Sequence, residues 1–139
     1  MLDRDKLIAE LKRDEGFRSK AYRDTEGIWT IGVGRNLQDV GISEQEADIL
    51  LSNDIDVATN ELGRAFHWFD DLDDRRQRVM VNMCFNLGIT RLFGFRKFLK
   101  AMEDGDWDTA SIEMMDSRWA KQVGQRAERL RDMVSDGSI

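Results

Sequence analysis

One short stretch of this chain, Ile28-Trp29-Thr30-Ile31-Gly32-Val33-Gly34, is composed for extended backbone, whereas most of the remainder is composed for helix. Its β-branched and aromatic residues suit a pleated, half-buried surface. Asp24-Thr25-Glu26-Gly27, just before it, is turn chemistry. A small β-hairpin is therefore expected between Phe17 and Gly34. Proline is absent, so Gly, Asn, Asp and Ser must make every turn. The fold class is α+β, mainly α.

The helices are read from apolar spacing. Leu7, Ile8 and Leu11 form a stripe in a helix near Asp3 to Glu15, with Gly16 as its stop. Ser43-Glu44-Gln45-Glu46 is a capping box. Behind it Ala47, Leu51, Ile55, Ala58 and Leu62 recur every three or four positions. This predicts the longest helix, near Glu44 to Leu62, connecting the β region to a helical body. Further helices are expected near Asp73 to Leu87, with Val79, Met80, Met83, Cys84 and Leu87 inside, and near Phe95 to Glu103. Trp107 to Met115 and Gln125 to Ser135 complete the body. Ser117-Arg118-Trp119 is read as a short turn.

Composition narrows the function. The 139 residues carry 21 basic and 27 acidic side chains, a net charge of −6. That argues against a nucleic-acid partner unless a local basic stripe exists. No apolar run reaches the roughly 20 residues that span a membrane, so membrane insertion is not expected. The start of the chain is charged and lacks the apolar region of a signal peptide. The single cysteine cannot form an internal disulfide.

Nucleophile systems built on histidine would depend on His67, the only one, in an aromatic segment without a partner motif. His67 is read as structural and Cys84 as core. No metal-ligand spacing occurs, and Gly32-Val33-Gly34 lacks the third glycine and following helix of a dinucleotide loop. Carboxylates remain. Glu15 closes the first helix, where the helix dipole opposes an anion by roughly 0.3–1 kcal/mol. That favours the protonated form a general acid needs. A solvated surface glutamate is the plainer alternative. Asp24 opens the hairpin turn, where it could simply be an Asx-turn residue. Thr30 by itself is a strand former.

Together these residues say more than they do singly. Asp14-Glu15-Gly16-Phe17-Arg18, Ala21-Tyr22-Arg23-Asp24-Thr25-Glu26-Gly27 and Thr30-Ile31-Gly32-Val33-Gly34, at this spacing, resemble the opening of the phage-type lysozymes of the T-even endolysin family. Asn82-Met83-Cys84-Phe85-Asn86-Leu87-Gly88, Gly94-Phe95, Trp107-Asp108, Ser117-Arg118-Trp119 and Arg126-Ala127 with Arg129 continue it in the family's order. The resemblance implies a two-lobe, lysozyme-like domain over residues 1–139. Its small β lobe would cover about 16–42 and its connecting helix about 44–62. Its helical lobe would cover about 66–139, joined by the N-terminal helix.

It also implies a muramidase that hydrolyses the β-1,4 bond between N-acetylmuramic acid and N-acetylglucosamine with inversion. Glu15 matches the catalytic acid, Asp24 the catalytic aspartate and Thr30 the threonine beside the attacking water. Inversion needs an acid and a base far enough apart to hold that water. No cofactor or metal is required. Phe85, Asn86 and Gly88 match positions bordering the family's cleft, with Phe85 expected to pack beneath the other two. A helix C-cap is the plainer reading of Asn86-Leu87-Gly88. Arg118 and Arg126 are expected on the substrate side, and Arg126 matches an arginine that approaches the acid.

The expected partners are bacterial peptidoglycan and a holin-type release protein. The expected state is a monomer held in the host cytoplasm until release. A non-catalytic wall-binding module of a virion and a lytic transglycosylase are the alternatives. Three features depart from the family. Arg35 stands where histidine is common, with Asp54 as its expected acidic partner. The stretch from Arg35 to Ser43 is short. The net charge is negative, although residues 118–131 are locally basic.

Overall fold

The computed structural model describes residues 1–135. It falls into two compact units, Met1–Ile49 and the chain from Leu50 onward. Among the described residues, no helix is long and apolar enough to cross a membrane.

The first unit opens with α1 (Arg4–Glu15). Asp3 caps it, accepting the Lys6 N–H at 3.1 Å. Gly16 ends it at φ 74°, its own N–H donating to the Lys12 carbonyl. Strands β1 (Arg18–Arg23), β2 (Trp29–Gly32) and β3 (Arg35–Asn36) follow in an antiparallel sheet of order β1-β2-β3. Tyr22 faces Thr30, and Thr30 faces Asn36 on its other side. Guanidinium groups cover the sheet's aromatics: Arg18 lies 4.3 Å from the Tyr22 ring centre and Arg23 lies 4.7 Å from that of Trp29. The hairpin is where the sequence places it. The third strand was not legible, because two residues carry no periodicity.

Helix α2 (Glu44–Ala65) begins in the first unit and runs on into the second. Its start is the reciprocal capping box expected from sequence. Ser43 Oγ accepts the Glu46 N–H, and Glu46 Oε1 accepts the Ser43 N–H at 2.8 Å. Glu46 has a second task. Arg35 grips both its oxygens, Nη1 to Oε1 at 2.8 Å and Nη2 to Oε2 at 2.6 Å, while Nη1 also donates to the Gly41 carbonyl at 3.1 Å. This corrects the expected pairing of Arg35 with Asp54. A planar guanidinium takes the carboxylate that presents both oxygens beside it, and the capping box has already fixed Glu46 in that pose.

The second unit is helical. After α2 comes a 3-10 turn (Phe69–Asp71), then α3 (Asp74–Leu87), α4 (Ile89–Phe93), α5 (Arg96–Asp104), α6 (Trp107–Met115), α7 (Arg118–Val123) and α8 (Gln125–Ser135). Its core gathers Leu62 of α2, Val79, Met80, Met83 and Cys84 of α3, Phe98 and Met102 of α5, Met114 of α6 and Val134 of α8. Cys84 is buried as expected, and that burial raises its thiol pKa. His67, read as structural, has an 85% exposed side chain 3.8 Å from Glu103. Leu51 and Ile55, expected inside with Ala58 and Leu62, are exposed as well. The segment read as a turn at Ser117-Arg118-Trp119 is the start of α7, with Ser117 Oγ capping the Ala120 N–H at 3.1 Å. Two short helices, α4 and α7, were missed because fewer than two turns show no clear period.

A charged clamp fixes the end of α8. Arg76, almost buried, donates from Nε and Nη2 to the Val134 carbonyl at 2.9 and 2.6 Å. Its guanidinium stacks on Trp107 at 3.9 Å, and Arg75 donates to the Met133 carbonyl at 2.9 Å. Burial raises the pKa of Asp73, but hydrogen bonds from the Arg76 side chain and backbone outweigh it and hold it below the ordinary value.

Two outcomes follow. Arg76→Ala should destabilise the protein by about 2–4 kcal/mol, since buried helix-terminal carbonyls lose charge-assisted donors. Urea denaturation checks this. The Glu46 carboxyl is held at about 2, first by the Arg35 hydrogen bond and then by the Ser43 N–H. A depressed acid stabilises above its unfolded pKa, and that contribution fades as pH falls through the folded value. The capped junction should therefore be undisturbed from neutrality to about pH 5 and weaken between about 4.5 and 2. In Arg35→Gln the Glu46 carbon resonances should titrate nearer 4.5.

Candidate active site

The three proposed catalytic side chains lie in the first unit. Glu15 is the last residue of α1. It is exposed, and its carboxyl lies against Gly34 at the end of the loop between β2 and β3.

Asp24 follows β1 and is half-buried. Its Oδ1 accepts the N–H of Glu26 at 2.8 Å and of Ile28 at 2.9 Å. This is an Asx-turn, the plain structural reading, and it is present. It engages only one oxygen, so a carboxylate edge remains for other work.

Thr30 is the buried side chain of the hairpin, 5% exposed. Its hydroxyl donates to the Ile28 carbonyl at 2.8 Å, and that same carbonyl accepts the Asp24 N–H at 2.9 Å. Both groups therefore converge on the peptide groups of Ile28. A hydroxyl whose proton is committed can offer only its lone pairs. Thr30 Oγ1 is thus an acceptor for whatever approaches it.

The five residues assigned to substrate contact are in the second unit, and the structure gives each a definite setting. Asn86 Oδ1 accepts the indole N–H of Trp119 at 2.8 Å. An indole N–H only donates, so this bond identifies the oxygen of the Asn86 amide and leaves its NH₂ as a donor on an exposed residue. Arg126 donates from Nε to Asn82 Oδ1 at 2.9 Å, one helical turn before Asn86. Gly88 is the C-cap of α3 at φ 82°, its N–H bonded to the Cys84 carbonyl, so the plain reading of this segment is realised too.

Phe85 corrects an expectation. It is 50% exposed rather than packed beneath Asn86 and Gly88, because α3 turns Met83, Cys84 and Leu87 to the core and Phe85 away from it. Phe85 and Arg126 share a groove of about 740 Å³ with Leu51, Ile55 and Val81. Arg118, exposed at the first turn of α7, is not among the groove's residues. Sequence reasoning gave no role to Trp119 or Asn82, which hold two of the five. The repeated Asn at positions 82 and 86, one turn apart, was the signal available.

No cluster of metal-binding side chains occurs among the described residues. The first unit thus holds a helix-terminal carboxyl, a hairpin carboxylate with a free edge and a hydroxyl limited to accepting, groups of the kind that carry protons in acid–base chemistry.

Known proteins supply the class. The phage lysozyme family profile matches residues 12–133. A probable T4-type lysozyme of Dictyostelium discoideum is 28% identical over 158 residues, covering 93% of each chain. An endolysin of Acyrthosiphon pisum secondary endosymbiont phage 1 is 33% identical over 126 residues, covering 88% of this chain and 84% of that one. The pre-baseplate central spike protein of Enterobacteria phage T4 is 29% identical over 157 residues, covering 93% of this chain but 27% of the spike protein. The chain belongs to the phage lysozyme family, and with it to the lysozyme-type hydrolases of peptidoglycan.

Proposed function

We propose that this lysozyme is an endolysin-type muramidase that cuts the β-1,4 bond between N-acetylmuramic acid and N-acetylglucosamine with inversion. One observation carries the residue assignment. Asp24 and Thr30 are both locked to Ile28, Asp24 through a single oxygen and Thr30 through its only proton. Asp24 so held can take a proton from a water molecule, while Thr30 Oγ1 accepts that water's second O–H. The water oxygen then bonds to the anomeric carbon as the glycosidic bond breaks. Glu15 supplies the proton to the leaving oxygen. The new hydroxyl arrives on the face opposite the departed sugar, which is inversion.

In the second unit, the NH₂ of exposed Asn86 is a donor suited to an amide carbonyl of the glycan or its peptide. Phe85 offers an apolar face beside it. Gly88, Arg118 and Arg126 are proposed to border the same glycan path. The enzyme is proposed to act as a monomer, with no cofactor, after a holin-type partner releases it from the host cytoplasm to the wall. The likeness to the phage T4 spike protein favours a second reading, a lysozyme domain carried in a virion. Lysis of cells by protein expressed with and without a membrane-permeabilising partner separates the two.

Glu15→Gln keeps shape and removes the proton. General acid catalysis contributes about 10²–10⁴-fold, so the variant should lose at least a hundredfold in clearing outer-membrane-stripped cells, while melting like the parent. A rate within about threefold of the parent, far below that acid contribution, would end the acid assignment. Product analysis completes the test. Hydrolysis gives new reducing ends, whereas transglycosylation gives anhydro ends.

A further inference from the structure

Two glycines near the β2–β3 turn have positive φ: Gly32, the last residue of β2, at 68°, and Gly34, in the loop that follows, at 67°. Their φ angles are nearly equal, and an L side chain is strained at either. Their surroundings differ. A Cβ built on Gly32 meets nothing within 4 Å. A Cβ on Gly34 would stand 2.8 Å from Glu15 Oε2, 3.1 Å from its Cδ and 3.3 Å from its Cγ. Real Cβ atoms essentially never come so close to another heavy atom. The bare face of Gly34 is therefore the seat on which the Glu15 carboxyl rests.

We propose that Gly34 is a positioning residue for Glu15, its missing side chain setting where the acid's carboxyl stands. The proposal rests on the reading of Glu15 as the acid. It concerns placement rather than folding. The atoms a Cβ would meet are the end of a flexible side chain, so the chain can admit a methyl group by swinging the carboxyl aside. What changes is where the proton is delivered from. Productive geometry is narrow, and about 1 Å of misplacement can cost 10²-fold in rate.

Arg35, the next residue, makes the seat firm. Its two-pronged grip on Glu46 and its bond to the Gly41 carbonyl tie β3 to the start of α2. The backbone at Gly34 is thus anchored on its C-terminal side, while Gly16 fixes the end of the helix that carries Glu15.

The test compares Gly34→Ala with Gly32→Ala. Both put an L side chain at a positive φ, so both should melt below the parent while keeping its circular dichroism. On uncross-linked glycan strands, Gly34→Ala should lose roughly tenfold or more in kcat relative to Gly32→Ala, with KM unchanged. A second reading needs no activity. The side-chain carbon resonances of Glu15 should shift in Gly34→Ala and stay in place in Gly32→Ala.

Equal kcat for the two variants, or unmoved Glu15 resonances in Gly34→Ala, overturns the proposal. Failure of the underlying reading looks different. Glu15 resonances that move in Gly34→Ala, together with a Glu15→Gln enzyme as fast as the parent, would keep the seat and discard the acid.

Discussion

The hydrogen bonds around Ile28 are the constraint on which the candidate site depends. Its N–H goes to the Asp24 carboxylate, and its carbonyl receives both the Asp24 N–H and the Thr30 hydroxyl. One residue's backbone thus closes the turn, starts β2 and orients two polar side chains. The structural and catalytic readings of Asp24 are not rivals. An Asx-turn consumes one carboxylate oxygen, and a general base needs one. In the proposed mechanism the turn orients the base, because a carboxylate held by two backbone donors has a fixed direction in which its free edge points.

The two units are held together internally by different means. In the second unit a cluster of Met, Phe, Leu and Val side chains is fully buried, with hydrophobic burial as the main term. In the first, Thr30 is the buried side chain, and α1 has none. Turn hydrogen bonds, two guanidinium–aromatic stacks and the Arg35–Glu46 fork take the place of a core. Directional polar bonds specify position closely where a small sheet cannot bury enough apolar surface.

How much of this was legible depends on the range of each interaction. Trp107–Met115 and Gln125–Ser135 were read to the residue, and the capping box and the Asp24 turn were read correctly, because each is set within a few positions of sequence. Expectations that depended on pairing across the chain fared less well. Arg35 went to Glu46 rather than Asp54, since the sequence shows charges but not which carboxylate presents two oxygens. The bond between Trp119 and Asn86 spans 33 positions and leaves no periodic trace. Phe85 was expected beneath Asn86 and Gly88 on the strength of the family resemblance, yet its helix faces the core with Met83, Cys84 and Leu87. The seat at Gly34 was legible only as a glycine, since what rests on it is set by where α1 ends.

Arginine at position 35 links these observations to pH. An imidazole there would change charge near neutrality, and its hold on a carboxylate would change with it. A guanidinium stays charged throughout, and the Glu46 carboxyl, held at about 2, stays ionised over the same range. The fork beside Gly34 is therefore constant from neutrality down to the acid limb. Whatever pH dependence the enzyme shows near neutrality must come from groups other than this junction. The fork is partly exposed, so its direct contribution to stability is small. Its importance lies in position: it fixes the residue immediately after the glycine against which the Glu15 carboxyl rests.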